Sequence, residues 1–196
     1  MDGPWISEGR KLAIILRGPP ATGKSTLSEA ICTSVSAYGC SAKPVNLDEG
    51  WLANQRPARH GGPARYPELV SCGEDVLVVE LAQGEPSLVG VAGEGATHNP
   101  LEWLSLIMPE RQVFSFLLWA DWDQLAARLR GRGETELGFF EKCFRLHQSD
   151  PLFRDFGDRA GIPEQRISVV GKTTKEICDL IFSTCSTRVA GTGQLQ

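Results

Sequence analysis

The sequence predicts an α/β protein built on a parallel sheet with helices on both sides. Three observations predict it. Short apolar or β-branched runs alternate with longer segments of helical pattern through the middle of the chain. The runs are nearly continuous in apolar character, as strands covered on both faces must be. The first run leads directly into Gly18-Pro-Pro-Ala-Thr-Gly23-Lys24-Ser25, a glycine-rich turn with the G-x-x-x-x-G-K-[ST] spacing of a phosphate loop.

The elements follow in order. Leu12–Leu16 reads as the first strand and Lys24–Ser36 as the helix opened by the glycine-rich turn. Pro44–Leu47 reads as the second strand, Glu68–Ala82 as a helix, Ser87–Ala92 as the third strand and Leu101–Ile107 as a short helix. Val113–Trp119 is the fourth strand, Trp122–Arg130 and Leu137–Gln148 are helices, and Arg166–Val170 is the fifth strand. The last helix, Thr174–Phe182, starts at Thr173-Thr-Lys-Glu176. That is a capping box, in which the hydroxyl and the acid three residues on satisfy each other's backbone N–H groups. The glycine- and proline-rich stretch Asn54–Pro67 is the longest gap, and long loops in α/β domains often carry function.

The 196 residues suit one domain spanning 1–196, with residues 1–10 and 187–196 expected to be loosely ordered. A chain 41% hydrophobic and 22% charged can bury a core, which excludes wholesale disorder. Lys plus Arg is 20 against Asp plus Glu 24, a net charge of −4. A protein coating a long nucleic acid would show a basic surface instead. No apolar run approaches the roughly 18 residues of a membrane helix, and the N-terminus has no apolar signal region. Cys32, Cys40, Cys72, Cys143, Cys178 and Cys185 form no CxxC or CxH pair. They read as reduced thiols of a cytoplasmic protein, neither a zinc site nor a disulfide frame.

The phosphate loop carries its own chemistry. Gly18 and Gly23 let the backbone wrap an anion with its N–H groups inward, and the helix behind adds partial positive charge. The whole loop, with Pro19, Pro20, Ala21, Thr22 and Thr26, is the candidate nucleotide cradle. Lys24 reaches the β- and γ-phosphates and Ser25 is the candidate Mg²⁺ ligand. The alternative is a glycine-rich turn with an incidental lysine. A guanine-reading N-K-x-D is absent from the sequence.

Lys43-Pro-Val-Asn-Leu-Asp48-Glu49-Gly-Trp51 delivers two carboxylates to the C-terminal end of a strand, where parallel sheets bind ligands. Asp48 is the candidate base that takes the acceptor's hydroxyl proton, the alternative role being a helix N-cap. The expected third strand runs into Gly93-Glu94-Gly-Ala-Thr97 rather than ending in the aspartate common in P-loop ATPases. Glu94 then serves either a metal-bound water or the substrate. Arg128, Arg130 and Arg132 alternate ahead of Gly133, a pattern suited to a lid closing on phosphates. Arg128 and Arg132 are the candidate clamps, against a plain basic helix end.

With these residues in hand, the chain resembles the small P-loop kinases, among them nucleoside monophosphate, gluconate and shikimate kinases. Within them Leu88-Val-Gly-Val-Ala-Gly-Glu94-Gly-Ala-Thr97-His98-Asn-Pro100 is similar to the strand-and-turn of chloramphenicol phosphotransferase, the tunicamycin-resistance protein and zeta-toxin kinases. The resemblance spans roughly Leu12 to Phe182. It implies a three-layer P-loop NTPase sandwich, five parallel strands in the order 2-3-1-4-5, an arginine lid, ATP and Mg²⁺. It also implies adenine near Gly171-Lys172-Thr173. The departure is the absent strand-end aspartate, which leaves the second magnesium-side ligand open.

For the acceptor, the stretch from Trp51 to Pro67 has no acidic residue but contains Arg56, Arg59, His60 and Arg65. On an acidic protein this patch would draw an anionic small molecule, unless it is an ordinary polar loop. Trp51 is a candidate stacking face, Thr97 and His98 sit at the expected ligand edge, and Trp119 and His147 read as structural. The leading expectation is transfer of the γ-phosphoryl group of ATP to a hydroxyl of a nucleoside-like or sugar-containing metabolite or antibiotic. The alternatives are a nucleotide or polynucleotide 5′-hydroxyl kinase and a non-catalytic protein that sequesters its ligand. No membrane partner is expected. A homodimer and the choice between ATP and GTP stay open.

Overall fold

The computed structural model describes residues 11–46, 72–81, 109–149, 157, 161–162 and 164–191. The strands are β1 (Lys11–Arg17), β2 (Ala42–Asn46), β3 (Val76–Leu81), β4 (Arg111–Trp119) and β5 (Glu164–Ser168). The described helices are α1 (Lys24–Ala37), α2 (Trp122–Gly131), α3 (Gly138–Ser149) and α4 (Thr174–Gly191). All strand pairs are parallel and the order is β2-β3-β1-β4-β5, as expected.

The continuous apolar runs become strands because both of their faces are buried. On one face Leu12, Ile14, Leu16, Val76, Val78, Phe114, Phe116 and Leu118 pack with Leu27, Ile31 and Val35 of α1 and Ile177 and Ile181 of α4. On the other, Ala13, Ile15, Val45, Leu77 and Val79 form a second cluster with Cys72, Leu81 and Ile162. Each large side chain buried here contributes on the order of 1.5–3 kcal/mol by leaving water. At the N-terminal end of the sheet the buried Arg111 donates to the Leu12, Glu74 and Cys72 carbonyls and ties β4 to its neighbours.

Three expectations need correction. Residues 72–81 are not part of a helix: Val76–Leu81 is β3 and fills the slot between β2 and β1. The segment expected to fill it, Ser87–Ala92, lies outside the described residues, as does Leu101–Ile107. Val76, Val78 and Val79 are β-branched, and Gly73 interrupts any helix from Glu68. The last helix does not stop at Phe182 but runs to Gly191. Ile177, Cys178, Ile181, Phe182 and Cys185 are all buried, so the apolar period continues past the expected end. Finally, β5 begins and ends two residues earlier than expected, although Val169 N–H still donates to the Trp119 carbonyl at 2.8 Å. The capping box at the start of α4 forms as expected. Glu176 accepts from the Thr173 N–H (2.7 Å) and hydroxyl (2.8 Å), and the Glu176 N–H donates back to that hydroxyl (3.2 Å).

Candidate functional site

The loop between β1 and α1 is shaped by steric limits at three residues. Gly18 has φ +135°, and a Cβ there would stand 2.4 Å from the Leu118 carbonyl oxygen of β4. Ala21 and Gly23 take φ values of 65° and 90°, left-handed backbone that turns successive N–H groups to one side. Thr22 Oγ1 donates to the Pro19 carbonyl at 2.9 Å and closes the loop on itself. Gly23 is the N-cap of α1 and supplies no side-chain cap, and the first turn has no acidic residue. Among the described residues the positive end of α1 therefore meets no capping side chain and no first-turn acid, which suits it to an anion.

Lys24 is buried beside the loop, its Nζ donating to the Gly18 (2.9 Å) and Pro19 (3.3 Å) carbonyls. An ammonium held there carries its charge to the cradle. Ser25 and Thr26 follow on the exposed first turn, and Ser25 Oγ donates to Glu80 Oε2 at 2.7 Å. Glu80 lies near the C-terminal end of β3, in register with Leu16 of β1. The same carboxylate influences Cys32, a later residue of α1. Burial first, then the Glu80 charge, pushes that thiol up to about 11.

Glu80 was not among the residues expected from the sequence, and its carboxylate stands beside the hydroxyl of Ser25, the expected magnesium ligand. Its signal was present: an acid directly after the apolar run Val76-Leu-Val-Val79. Because residues 68–82 read as a helix in sequence, the acid-after-strand pattern points one segment later, to Glu94. A hydroxyl and a carboxylate at hydrogen-bond distance suit Mg²⁺, which keeps most of its water and takes one or two protein oxygens beside phosphate oxygens. Among the described residues no group of three His, Cys, Asp or Glu side chains gathers as a protein-only metal site.

The expected clamps are placed differently from each other. Arg128, on α2, donates from Nη1 to the Ala21 carbonyl at 3.3 Å and so stands at the loop. Arg132 follows the last residue of α2 and is exposed, ahead of Gly133 with φ +88°. Lys172 is exposed in the turn after β5, where Gly171 has φ +65°. Thr173 spends its hydroxyl and N–H on the capping box, which leaves it little to offer a base. Gly18 to Thr26 and Arg128 are brought together, and Lys172 and Thr173 leave the same C-terminal sheet edge. Asp48, Glu49, Trp51, Arg56, Arg59, Arg65, Glu94, Thr97 and His98 lie outside the described residues.

This is the fold of the small P-loop kinases. The chain is similar in structure to a gluconokinase from Sinorhizobium meliloti 1021 (TM-score 0.57, 15% identity, covering 93% of this chain and 97% of that one). It is similar to a shikimate kinase from Acinetobacter baumannii solved with shikimate (TM-score 0.55, 13% identity, 98% and 100% covered). It is also similar to YorR of Bacillus subtilis, solved with phosphorylated GDP (TM-score 0.59, 17% identity, 88% and 95% covered). The family model for Parvovirus non-structural protein NS1 matches residues 4–55, a minority of the chain that includes the phosphate loop. No curated protein sequence matches the chain significantly. Among the described residues no helix is long and apolar enough to cross a membrane.

Proposed function

We propose that the protein is an ATP- and Mg²⁺-dependent phosphotransferase acting on a hydroxyl of a small molecule. The Ser25–Glu80 pair beside Lys24, at the uncapped start of α1, carries the reading. A nucleotide cradle needs only the loop, whereas phosphoryl transfer also needs a metal held at the terminal phosphates. The likeness in fold to small-molecule kinases supports the same reading.

In this reading the loop N–H groups of residues 18–25 and the Lys24 ammonium bind and orient the polyphosphate. Magnesium, when bound, offsets the charge of the phosphate oxygens, and Ser25 and Glu80 would hold it. Arg128, already at the loop, and Arg132 supply planar cationic donors to the transferred group. Asp48 takes the acceptor's proton as its oxygen attacks. Lys172 and Thr173 border the base. Glu49, Trp51, Arg56, Arg59, Arg65, Glu94, Thr97 and His98 are the candidate acceptor contacts, their basic share favouring an anionic molecule. A nucleoside-like or sugar-containing metabolite or antibiotic is the proposed acceptor class. A nucleotide acceptor is the second reading, favoured by the phosphorylated GDP in YorR.

The test is transfer of label from γ-labelled ATP to a panel of nucleosides, nucleotides, sugars, aminocyclitols, nucleoside antibiotics and short oligonucleotides. Wild type is run beside Lys24→Ala and Asp48→Asn. Label moving to one compound class, and lost in both variants, supports the kinase and names its acceptor. ATP binding without transfer to any acceptor overturns it in favour of a sequestering protein.

A further inference from the structure

Arg17 ends β1 and directly precedes Gly18 of the phosphate loop. Its side chain is wholly buried, and its guanidinium crosses β4 to reach Glu164 on β5. The contact is forked: Nε meets Oε2 at 2.6 Å and Nη2 meets Oε1 at 2.9 Å. Ser115 of β4 donates its hydroxyl to the same Oε2 at 2.7 Å. One side chain thus spans two strand spacings, roughly 10 Å, and the strand between them adds a third point. A buried ion pair is a weak source of net stability compared with apolar packing of the same volume. A two-point fork between rigid strands is, however, a strong way to define their relative position.

The two tied strands end in loops at the same edge of the sheet. β1 ends in the phosphate loop, and β5 ends in residues 169–173, stitched at its start by the Val169–Trp119 backbone bond. Arg17, Leu117 and Arg166 lie level across the three strands, so Glu164 sits two residues below that line. The Ser25–Glu80 pair lies on the β3 side of the loop. In the nucleotide-binding reading above, a nucleotide with its metal-bearing end there would extend the other way, over β4 towards the β5 loop.

We infer that Arg17, Glu164 and Ser115 form a positioning cluster that sets the spacing between a polyphosphate subsite at residues 18–25 and a nucleoside subsite at residues 169–173. This rests on the nucleotide-binding reading above. Two subsites joined by one ligand reinforce each other only when their spacing matches the ligand. Loss of the cluster therefore weakens the joined ligand while leaving the polyphosphate subsite its own affinity.

The experiment is calorimetric titration of ATP and of inorganic tripolyphosphate, both with magnesium. It compares wild type, the apolar double variant Arg17→Met/Glu164→Leu and the milder Ser115→Ala, with melting temperatures recorded for each. The double variant is expected to bind ATP about tenfold more weakly, with tripolyphosphate binding held within about twofold. Ser115→Ala should shift the same ratio by less and stands in if the double variant does not fold. Unchanged ATP affinity in a folded variant overturns the proposal. So does equal weakening of both ligands, which would make the cluster a support of the phosphate loop alone. If wild type binds neither ligand, the nucleotide reading itself falls, and the cluster's role with it.

Discussion

Ser25 and Glu80 stand 55 residues apart in the chain, and the Ser25 hydroxyl donates to the Glu80 carboxylate at 2.7 Å. Parallel pairing of β1 with β3 creates the contact. It sets Glu80 level with Leu16, one residue before Arg17 and the loop.

Replacing Glu80 by glutamine keeps the size of the side chain and removes its charge. Phosphoryl transfer should fall by about 100-fold or more if, as proposed, the group helps hold a metal at the developing charge. ATP binding should persist, and half-maximal activity should require more magnesium. Rates measured across a magnesium series decide it, and an unchanged series would remove Glu80 from the metal site.

Gly18 and Gly23 both have positive φ but differ in what surrounds them. Gly18→Ala sets a methyl group 2.4 Å from the Leu118 oxygen, whereas a Cβ at Gly23 meets nothing within 4 Å. Both variants carry backbone strain, on the order of 1 kcal/mol or more. Only Gly18→Ala must also push β1 and β4 apart. Its urea midpoint should therefore fall clearly below that of Gly23→Ala, and equal midpoints would contradict the close approach.

The Cys32 thiol, raised from 9.0 to about 11 by burial and then by Glu80, is protected at neutral pH. Iodoacetamide at pH 8 should alkylate it roughly 100-fold more slowly in the native than in the unfolded protein. The folded value lies above the unfolded one, so the linked stability is intact below pH 9 and is lost as pH rises through about 11. Mass-spectrometric rates for Cys32 check the first statement and alkaline denaturation checks the second. Glu80→Gln should speed labelling only modestly, because burial is the larger cause.

Arg111 donates to three backbone carbonyls at the end of the sheet away from the phosphate loop. Arg111→Leu leaves those acceptors without their charged donor and should cost about 3 kcal/mol or more of stability. Arg111→Lys should recover part of it. ATP affinity of whatever remains folded should match wild type, since the loop does not touch this residue. Denaturant titration with parallel ATP binding separates the two effects.

Much of this was legible in the residues themselves. The phosphate loop was readable because glycines at 18 and 23 meet local steric demands that no distant residue alters. The capping box at Thr173 and Glu176 was readable for the same reason, its bonds spanning three positions. β3 was not, because the acids and valines of residues 68–82 suit a helix or a strand when taken alone. Pairing between β2 and β1 decided in favour of a strand. With β3 displaced by one segment, Glu80 was hidden as well, and the acid expected at a strand end was Glu94.

The sequence alone determined the α/β class, the order of most elements and the presence of a loop built for phosphate. Each of these depends on residues near one another in the chain, through periodicity, capping or backbone sterics. Only the tertiary structure decided that Glu80 faces Ser25, that Arg128 rather than Arg132 stands at Ala21, and that Arg17 is tied to Glu164 across 147 positions. Those contacts depend on which strands lie side by side and in what register. The apolar runs of the five strands are too alike to encode that choice, which is made by burying both faces of one sheet together.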